Sequence, residues 1–235
     1  MRDTRAVRRQ SDIGSQGEAS QYSEIPEDVP HESNAIKVSQ GAGYEAFRRS
    51  FDVVVVALAT PAIAILIAIC GLLIMALMGR PVFFVQNRVG RDGQRFRIYK
   101  LRTMATQSMS GVNATAPNDP RVTPLGKVLR QSHLDELPQL WNIFRGEMTL
   151  IGPRPEQPEL VEQYKKLIPN YDLRHQITPG LTGYAQVYYG YAATVEETKI
   201  KLQHDLYYVQ NRSFSLDMKI LLQTVVVYAN PNYVR

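Results

Sequence analysis

Asp135 and Glu136 stand side by side between Leu134 and Leu137 in the run LDELPQL. Two carboxylates so placed repel one another and resist desolvation, so keeping both ionised requires a metal ion or nearby cations. An ionised carboxylate can attack phosphorus to form an acyl phosphate, and a hard divalent ion such as Mg2+ takes one or two carboxylates together with substrate phosphates. The dipeptide alone says little, because acids are common at helix N-termini. Cations are at hand: Arg130 lies one helical turn before Leu134, and seven Lys/Arg fall between residues 80 and 102.

Three further segments have the residue types to hold phosphate, and each also has an ordinary structural reading. In IGPRP, Arg154 sits between Pro153 and Pro155, so its guanidinium stands on a stiff backbone, either as a bidentate phosphate ligand or as an exposed loop residue. TPGLTG offers a tight turn with exposed amides, read first as a structural turn. In YKLRT, Lys100 and Arg102 alternate with apolar neighbours, as solvated cations of an edge strand do. The single cysteine, Cys70, lies in an apolar run, so no internal disulfide or Cys-based zinc site can form. His31, His133, His175 and His204 are scattered without HxxxH spacing, which argues against zinc catalysis.

The elements that must position these residues begin with a polar stretch. Residues 1–44 hold 5 Lys/Arg and 7 Asp/Glu with few large apolar side chains, so they are expected to form a disordered, solvated cytoplasmic tail, not a secretory signal. The rest of the chain holds 22 Lys/Arg and 15 Asp/Glu, so its basic surface suits phosphates, anionic lipid or nucleic acid. The membrane segment decides against nucleic acid. Val53–Met78 is a run of 26 residues without a charge, longer than the ~20 that cross a bilayer. Arg48 and Arg49 precede it and the basic 80–102 stretch follows it. Cationic flanks on both sides fit a hairpin that enters and leaves by one leaflet, with a bend at Pro61 and a cap from Thr60; a span with a tolerated proline kink is an equal alternative on these residues. Arg48 and Asp52 share a helix face and either pair there or mark the interface.

Beyond the membrane run, Gly90 and Gly93 punctuate a hairpin or short strands, and NATAPNDPRVTP is a loop. Two helices follow, with Asp135 and Glu136 at their junction and Pro138 in the first turn of the second. The C-terminal third offers a turn-rich strand candidate, RHQITPGLTGYAQV, then a helix and finally an amphipathic helix with Leu216, Ile220, Leu221 and Val225 to one side. Such a helix either packs on the catalytic body or lies in the membrane interface. The expected fold class is α+β and mainly helical: a re-entrant membrane helix-break-helix over residues 45–80, then a small cytoplasmic catalytic domain, 81–235, with amphipathic interfacial helices.

In order, RRSFD, QNRVGRDGQRFRIYKLRTM, DPRVTPLGKVLRQSHLDELPQLWN, GEMTLIGPRP, RHQITPGLTGYAQV and HDLYYVQNRSFSLDMKILLQT resemble the bacterial sugar transferases, the monotopic phosphoglycosyl transferases. The resemblance covers nearly everything from Arg48 to Thr224. It implies transfer of a sugar 1-phosphate from a UDP-sugar to undecaprenyl phosphate at the bacterial inner membrane, releasing UMP and starting exopolysaccharide or other surface glycan assembly. It also implies a re-entrant helix broken at Thr60-Pro61, Asp135 as nucleophile, Glu136 as Mg2+ ligand, and Arg154, Lys100 and Asp205 as substrate-binding residues. A homodimer or downstream glycosyltransferases are the further partners it implies. Two departures stand out: the Thr-Pro break comes about a turn earlier than the family's Ser-Pro, and YYGY follows AQV where the family has a small residue or Asn and then GR. A membrane-anchored phosphohydrolase and a catalytically silent lipid-phosphate binder are the competing functions. The hairpin is tested by placing cysteines at Ser50 and Val82 in a Cys70→Ser background and labelling from each side of the membrane. Both should react from the same side; access from opposite sides would exclude a hairpin.

Overall fold

The computed structural model describes residues 41–105, 119–190 and 192–229. The expected tail therefore lies outside the described residues up to residue 40, while residues 42–44 of it are helical and open the first element; half of the NATAPNDPRVTP loop, 113–118, also lies outside. The rest is mostly helical with two small sheets. The longest element, α1 (Ala42–Met78), runs helically through Pro61 without interruption. Proline removes the hydrogen bond that residue 61 would give to the Ala57 carbonyl. The Thr60 hydroxyl donates one residue earlier, to the Val56 carbonyl at 2.7 Å.

Beyond α1, β1 (Phe83–Val89) and β2 (Arg95–Leu101) pair antiparallel, Phe83 opposite Leu101 and Val89 opposite Arg95. The glycine punctuation has a physical basis: the connecting turn puts Asp92 at φ 53° and Gly93 at φ 76°, where a side chain is costly. Next come α2 (Pro124–Gln131), a 3₁₀ helix over Leu134–Gln139 and α3 (Leu140–Arg145). Pro138 thus lies inside the 3₁₀ segment, two positions before the α-helix it was expected to start, and the acidic pair lies inside a tight helix of its own. Strand β3 (Thr149–Ile151) pairs parallel with β4 (Gly180–Thr182), with α4 (Pro158–Leu167) and a 3₁₀ turn, Tyr171–Gln176, between them. Then α5 (Tyr184–Tyr188), α6 (Val195–Asn211) and α7 (Phe214–Ala229) complete the body. α6 starts with a reciprocal cap between Thr194 and Glu197.

The main core joins Ile151, Val161, Val187, Tyr208, Val209 and Ile220, so the β3/β4 pair is packed by α4 through α7. On α7 the inner face carries Ile220 and Val227, with Leu216 and Leu221 partly covered. Val225, expected among them, is 68% exposed, alongside Leu222 and Val226 on the outer face. The turn TPGLTG is structural: a Cβ on Gly180 would fall 2.0 Å from the Gly152 nitrogen, so the two chains can approach only as glycines.

The cations flanking the apolar run dock α1 onto this body. Arg48 donates to the Ile151 carbonyl at 2.5 Å and pairs with Asp217 of α7 at 3.1 Å. Arg49 donates to the Ile143 and Phe144 carbonyls at the end of α3, at 2.5 and 2.6 Å. Arg102, expected as a solvated strand cation, is 1% exposed and donates to the Met78, Gly79 and Arg80 carbonyls, closing the other end of α1. Asp52 does not pair with Arg48; it accepts from the Thr149 hydroxyl at 2.5 Å and the Leu150 amide at 3.3 Å. Asp217 also accepts from the Tyr44 and Tyr208 hydroxyls at 3.0 and 2.6 Å. Removing it leaves a buried guanidinium without its counter-charge. Asp217→Ala should therefore cost about 3–5 kcal/mol in denaturant unfolding of the detergent-solubilised protein; a loss below ~1 kcal/mol would show that Arg48 does not depend on this partner.

Candidate active site

Three chain segments deliver the charged groups of the site. Glu136 comes from the 3₁₀ helix, Lys100 from β2, and Arg154 from the loop after β3. Lys100 Nζ lies 2.8 Å from Glu136 Oε1. Arg154 straddles the same carboxylate, with Nη1 3.2 Å from Oε2 and Nη2 on Oε1. Asp135, 7% exposed, has no hydrogen-bond partner among the described residues. Its surroundings are nevertheless cationic, with Lys100, Arg130 and Arg154 acting on it. Arg130 is anchored by a 2.9 Å bond from Nε to the Thr103 hydroxyl.

Local backbone geometry explains why the pair projects here. His133 occupies the left-handed region at φ 55°, which turns the chain between α2 and the 3₁₀ helix. Its ring stacks on Tyr228 of α7 at 3.8 Å, so the C-terminal helix closes over the start of the acidic segment. Across from it, Asn142 donates to the Arg97 carbonyl at 2.6 Å and accepts from the Tyr99 amide at 3.3 Å. That side chain fixes α3 against the edge of β2 and sets the reach of Lys100 to Glu136.

Electrostatics separates the two acids. Burial pushes the Asp135 carboxyl up to about 6, against the pull of Lys100. Burial acts on Glu136 too, yet Arg154 and Lys100 hold it well below the usual carboxylate range. Glu136 is thus locked as an anion, while Asp135 is an ionisable group poised just below neutrality. Lys100 is pushed down by burial, partly offset by Glu136. With three cations near two carboxylates, the site keeps an excess of positive charge for an incoming polyanion.

Lys100 and Arg154, picked out from sequence, are therefore brought together on Glu136. Asp205 is placed elsewhere: it is 3% exposed on α6 and grips Arg174 through Nε and Nη2 at 2.9 and 2.7 Å. Arg174, Arg88 and Glu156 escaped the sequence reading. Glu156, directly after Arg154-Pro155, was the available signal, an acid inside a basic loop. Lys201, Arg88, Arg174 and Arg154 outweigh its burial and bring it down to about 2.

The sequence model of the family described as bacterial sugar transferase matches residues 43–231. The chain belongs to that family. Over 196 residues it is 41% identical to the UDP-N-acetylgalactosamine-undecaprenyl-phosphate N-acetylgalactosaminephosphotransferase of Aeromonas hydrophila, covering 83% of this chain and 46% of that protein. It is 37% identical to the UDP-glucose:undecaprenyl-phosphate glucose-1-phosphate transferase of Klebsiella pneumoniae, covering 76% of this chain and 39% of that one. The exopolysaccharide production protein PSS of Rhizobium leguminosarum bv. phaseoli is 37% identical, with 76% of this chain and 93% of that protein covered. The chain thus spans half or less of the length of the first two relatives and nearly all of the third. The acidic pair and both of its basic partners fall inside the matched region.

The raised Asp135 carboxyl carries a stability cost with a definite sign. Between its ordinary value of 3.8 and about 6, the folded protein holds a proton that the unfolded chain has lost, so stability falls as pH rises through that window. Asp135→Asn should accordingly be more stable than the parent at pH 7, by roughly 1–3 kcal/mol, with the gain shrinking to nothing as pH falls below about 4. Thermal unfolding of both proteins at several pH values checks this; an Asn variant no more stable than the parent at pH 7 contradicts it.

Proposed function

We propose that the chain transfers a sugar 1-phosphate from a UDP-sugar to undecaprenyl phosphate through a covalent intermediate on Asp135. The observation that carries this reading is the asymmetry of the acidic pair. Glu136 is immobilised by Lys100 and Arg154, whereas Asp135 keeps its carboxylate without a hydrogen-bond partner among the described residues. An Asp135 oxygen attacks the sugar-bearing phosphorus, the bond from that phosphorus to the bridging oxygen breaks, and UMP departs. An oxygen of the lipid phosphate then attacks the same phosphorus and displaces the carboxylate, giving the lipid diphosphosugar. A phosphate ionised near neutral pH needs no general base, so positioning and charge supply the catalysis. Arg154 and Lys100 turn toward the diphosphate, offering one planar bidentate donor and one point charge.

Mg2+ fits as a partner of this site in a limited way. Glu136 and Asp135 are hard oxygen donors, and Glu136 Oε2 accepts only the 3.2 Å contact from Arg154 among the described residues. Among those residues no group of three or more His, Cys, Asp and Glu could hold an ion, so the rest of its ligands would be substrate oxygens and water. Bound there, the ion would offset charge on the diphosphate.

The membrane part of the reading is a re-entrant α1 in the inner membrane with the catalytic body on the cytoplasmic side. Residues 57–69 of α1 are mostly exposed and wholly apolar or small apart from Thr60. Val56 packs with Ile98 of β2, and Cys70 and Ile74 pack with Leu101 of the same strand. Val56 and Ile74 would stand ~27 Å apart on a straight helix, while Ile98 and Leu101 are ~10 Å apart along β2. A bend that returns the second arm to the same body accommodates both contacts.

Incubating the purified protein with Mg2+, undecaprenyl phosphate and a panel of UDP-sugars tests the function. Lipid-dependent UMP release is expected with one or more donors. Lipid-independent release would make the chain a phosphohydrolase, and no release with any donor would favour a silent lipid-phosphate binder. Asp135→Asn should abolish labelling of the protein by a radiolabelled phosphosugar donor, and persistent labelling would exclude Asp135 as the nucleophile.

A further inference from the structure

The loop that carries Arg154 has an unusual hydrogen-bonding problem. Pro153 and Pro155 have no amide hydrogens, and the loop leaves β3 at Gly152, where a Cβ would fall 2.6 Å from the Thr178 carbonyl. The carbonyls of Arg154 and Pro155 consequently face inward, beyond the end of the strand pairing. Each is taken by a guanidinium. Arg174 Nη2 donates to the Arg154 carbonyl at 2.8 Å, and Arg88 Nη1 donates to the Pro155 carbonyl at 3.0 Å. Both arginines are themselves fixed. Arg174, 3% exposed, is held by Asp205 on two nitrogens and donates from its third to the Tyr171 hydroxyl at 3.2 Å. Arg88 Nη2 donates to Gln86 at 2.8 Å, and Nη1 lies 3.5 Å from Glu156, whose other oxygen pairs with Lys201 at 3.3 Å. The Val89 amide adds a 3.0 Å bond to the Glu156 carbonyl.

We infer that Arg174 and Arg88 are positioning residues that clamp the two consecutive carbonyls, of Arg154 and Pro155, and thereby aim the Arg154 guanidinium at the donor diphosphate. Asp205 and Glu156 act through them, as the counter-charges that orient each clamp. This assignment rests on the reading of Arg154 as a diphosphate ligand. Two features favour a clamp over mere core packing. The bonds converge on consecutive carbonyls of the loop that projects Arg154 into the site. And each clamp needs the planar fork of arginine, because one side chain must serve a carboxylate or amide and a carbonyl at once, which a lysine ammonium with no fixed plane does poorly. The arrangement also explains how Asp205 can matter to the reaction while lying 3% exposed beneath it.

The test is equilibrium binding of UDP, which carries the shared diphosphate, to the full chain in detergent, for Arg174→Lys, Arg88→Lys, Arg154→Ala and the double variants with Arg154→Ala. Each lysine variant should weaken UDP by ~10-fold, as loss of alignment at a bidentate charged contact does, with the far-UV circular dichroism unchanged. In the Arg154→Ala background the same substitutions should change UDP affinity by less than about twofold, since the residue they aim is gone. A lysine variant that folds and binds UDP like the parent overturns the clamp, and so does one whose loss persists in full without Arg154. Arg174 is deeply buried, so if its lysine variant fails to fold, the less enclosed Arg88 decides on the same criteria. Arg154→Ala binding UDP like the parent would instead sink the phosphate reading of Arg154, and the clamp with it.

Discussion

Burying a carboxylate is tolerable only when cations meet it, and the organisation of this protein follows from how Glu136 is met. Its two partners come from opposite directions, Lys100 from the β1–β2 hairpin and Arg154 from the loop after β3. Desolvation of three charged groups costs several kcal/mol per ion, and their mutual attraction repays it only with close, multiple contacts. The site therefore exists only when the hairpin, the 3₁₀ helix and the parallel strand pair are docked together. Asp135 gains from this without sharing in it: the same cations keep a largely buried acid ionisable near neutrality while leaving its oxygens without a direct bond among the described residues.

Arginine on backbone carbonyls recurs at several element ends. Arg49 closes α3, Arg102 closes α1, Arg48 reaches the end of β3, and Arg88 and Arg174 hold the loop beyond it. A guanidinium has five donors in a plane and can satisfy a carboxylate and one or more carbonyls together. Much of the chain's excess positive charge is thus structural, which qualifies the view of it as a surface for anionic partners. The exposed apolar residues tell the complementary story: Leu58, Ile65, Leu72 and Leu77 on α1 and Leu222, Val225 and Val226 on α7 are left uncovered by the body.

How much of this was legible beforehand varied with the range of the interaction. Local signals served well. The glycines at 90 and 93 marked a hairpin, and at Gly93 the reason is local, a positive φ that glycine adopts without cost; the apolar run marked α1 by length alone. The family motifs carried Lys100, Glu136 and Arg154, and the structure brings those three into contact. Arg102 was misread because alternation along a strand shows which face a side chain takes but not what covers that face; here it is the C-terminal end of α1. Val225 was misread because a helical stripe can be shifted by one position and still look amphipathic.

By itself the sequence determined the family, with an acidic pair amid cations behind a long apolar helix, because the type and order of residues along the chain are what the family shares. Only the tertiary structure decided which carboxylate is tied and which is left open, that the flanking arginines dock α1 in place of merely bordering it, and that Asp205 stands behind Arg174. Those distinctions depend on contacts between residues 18 or more positions apart, and no local pattern encodes which of many basic side chains will reach a given carboxylate or carbonyl.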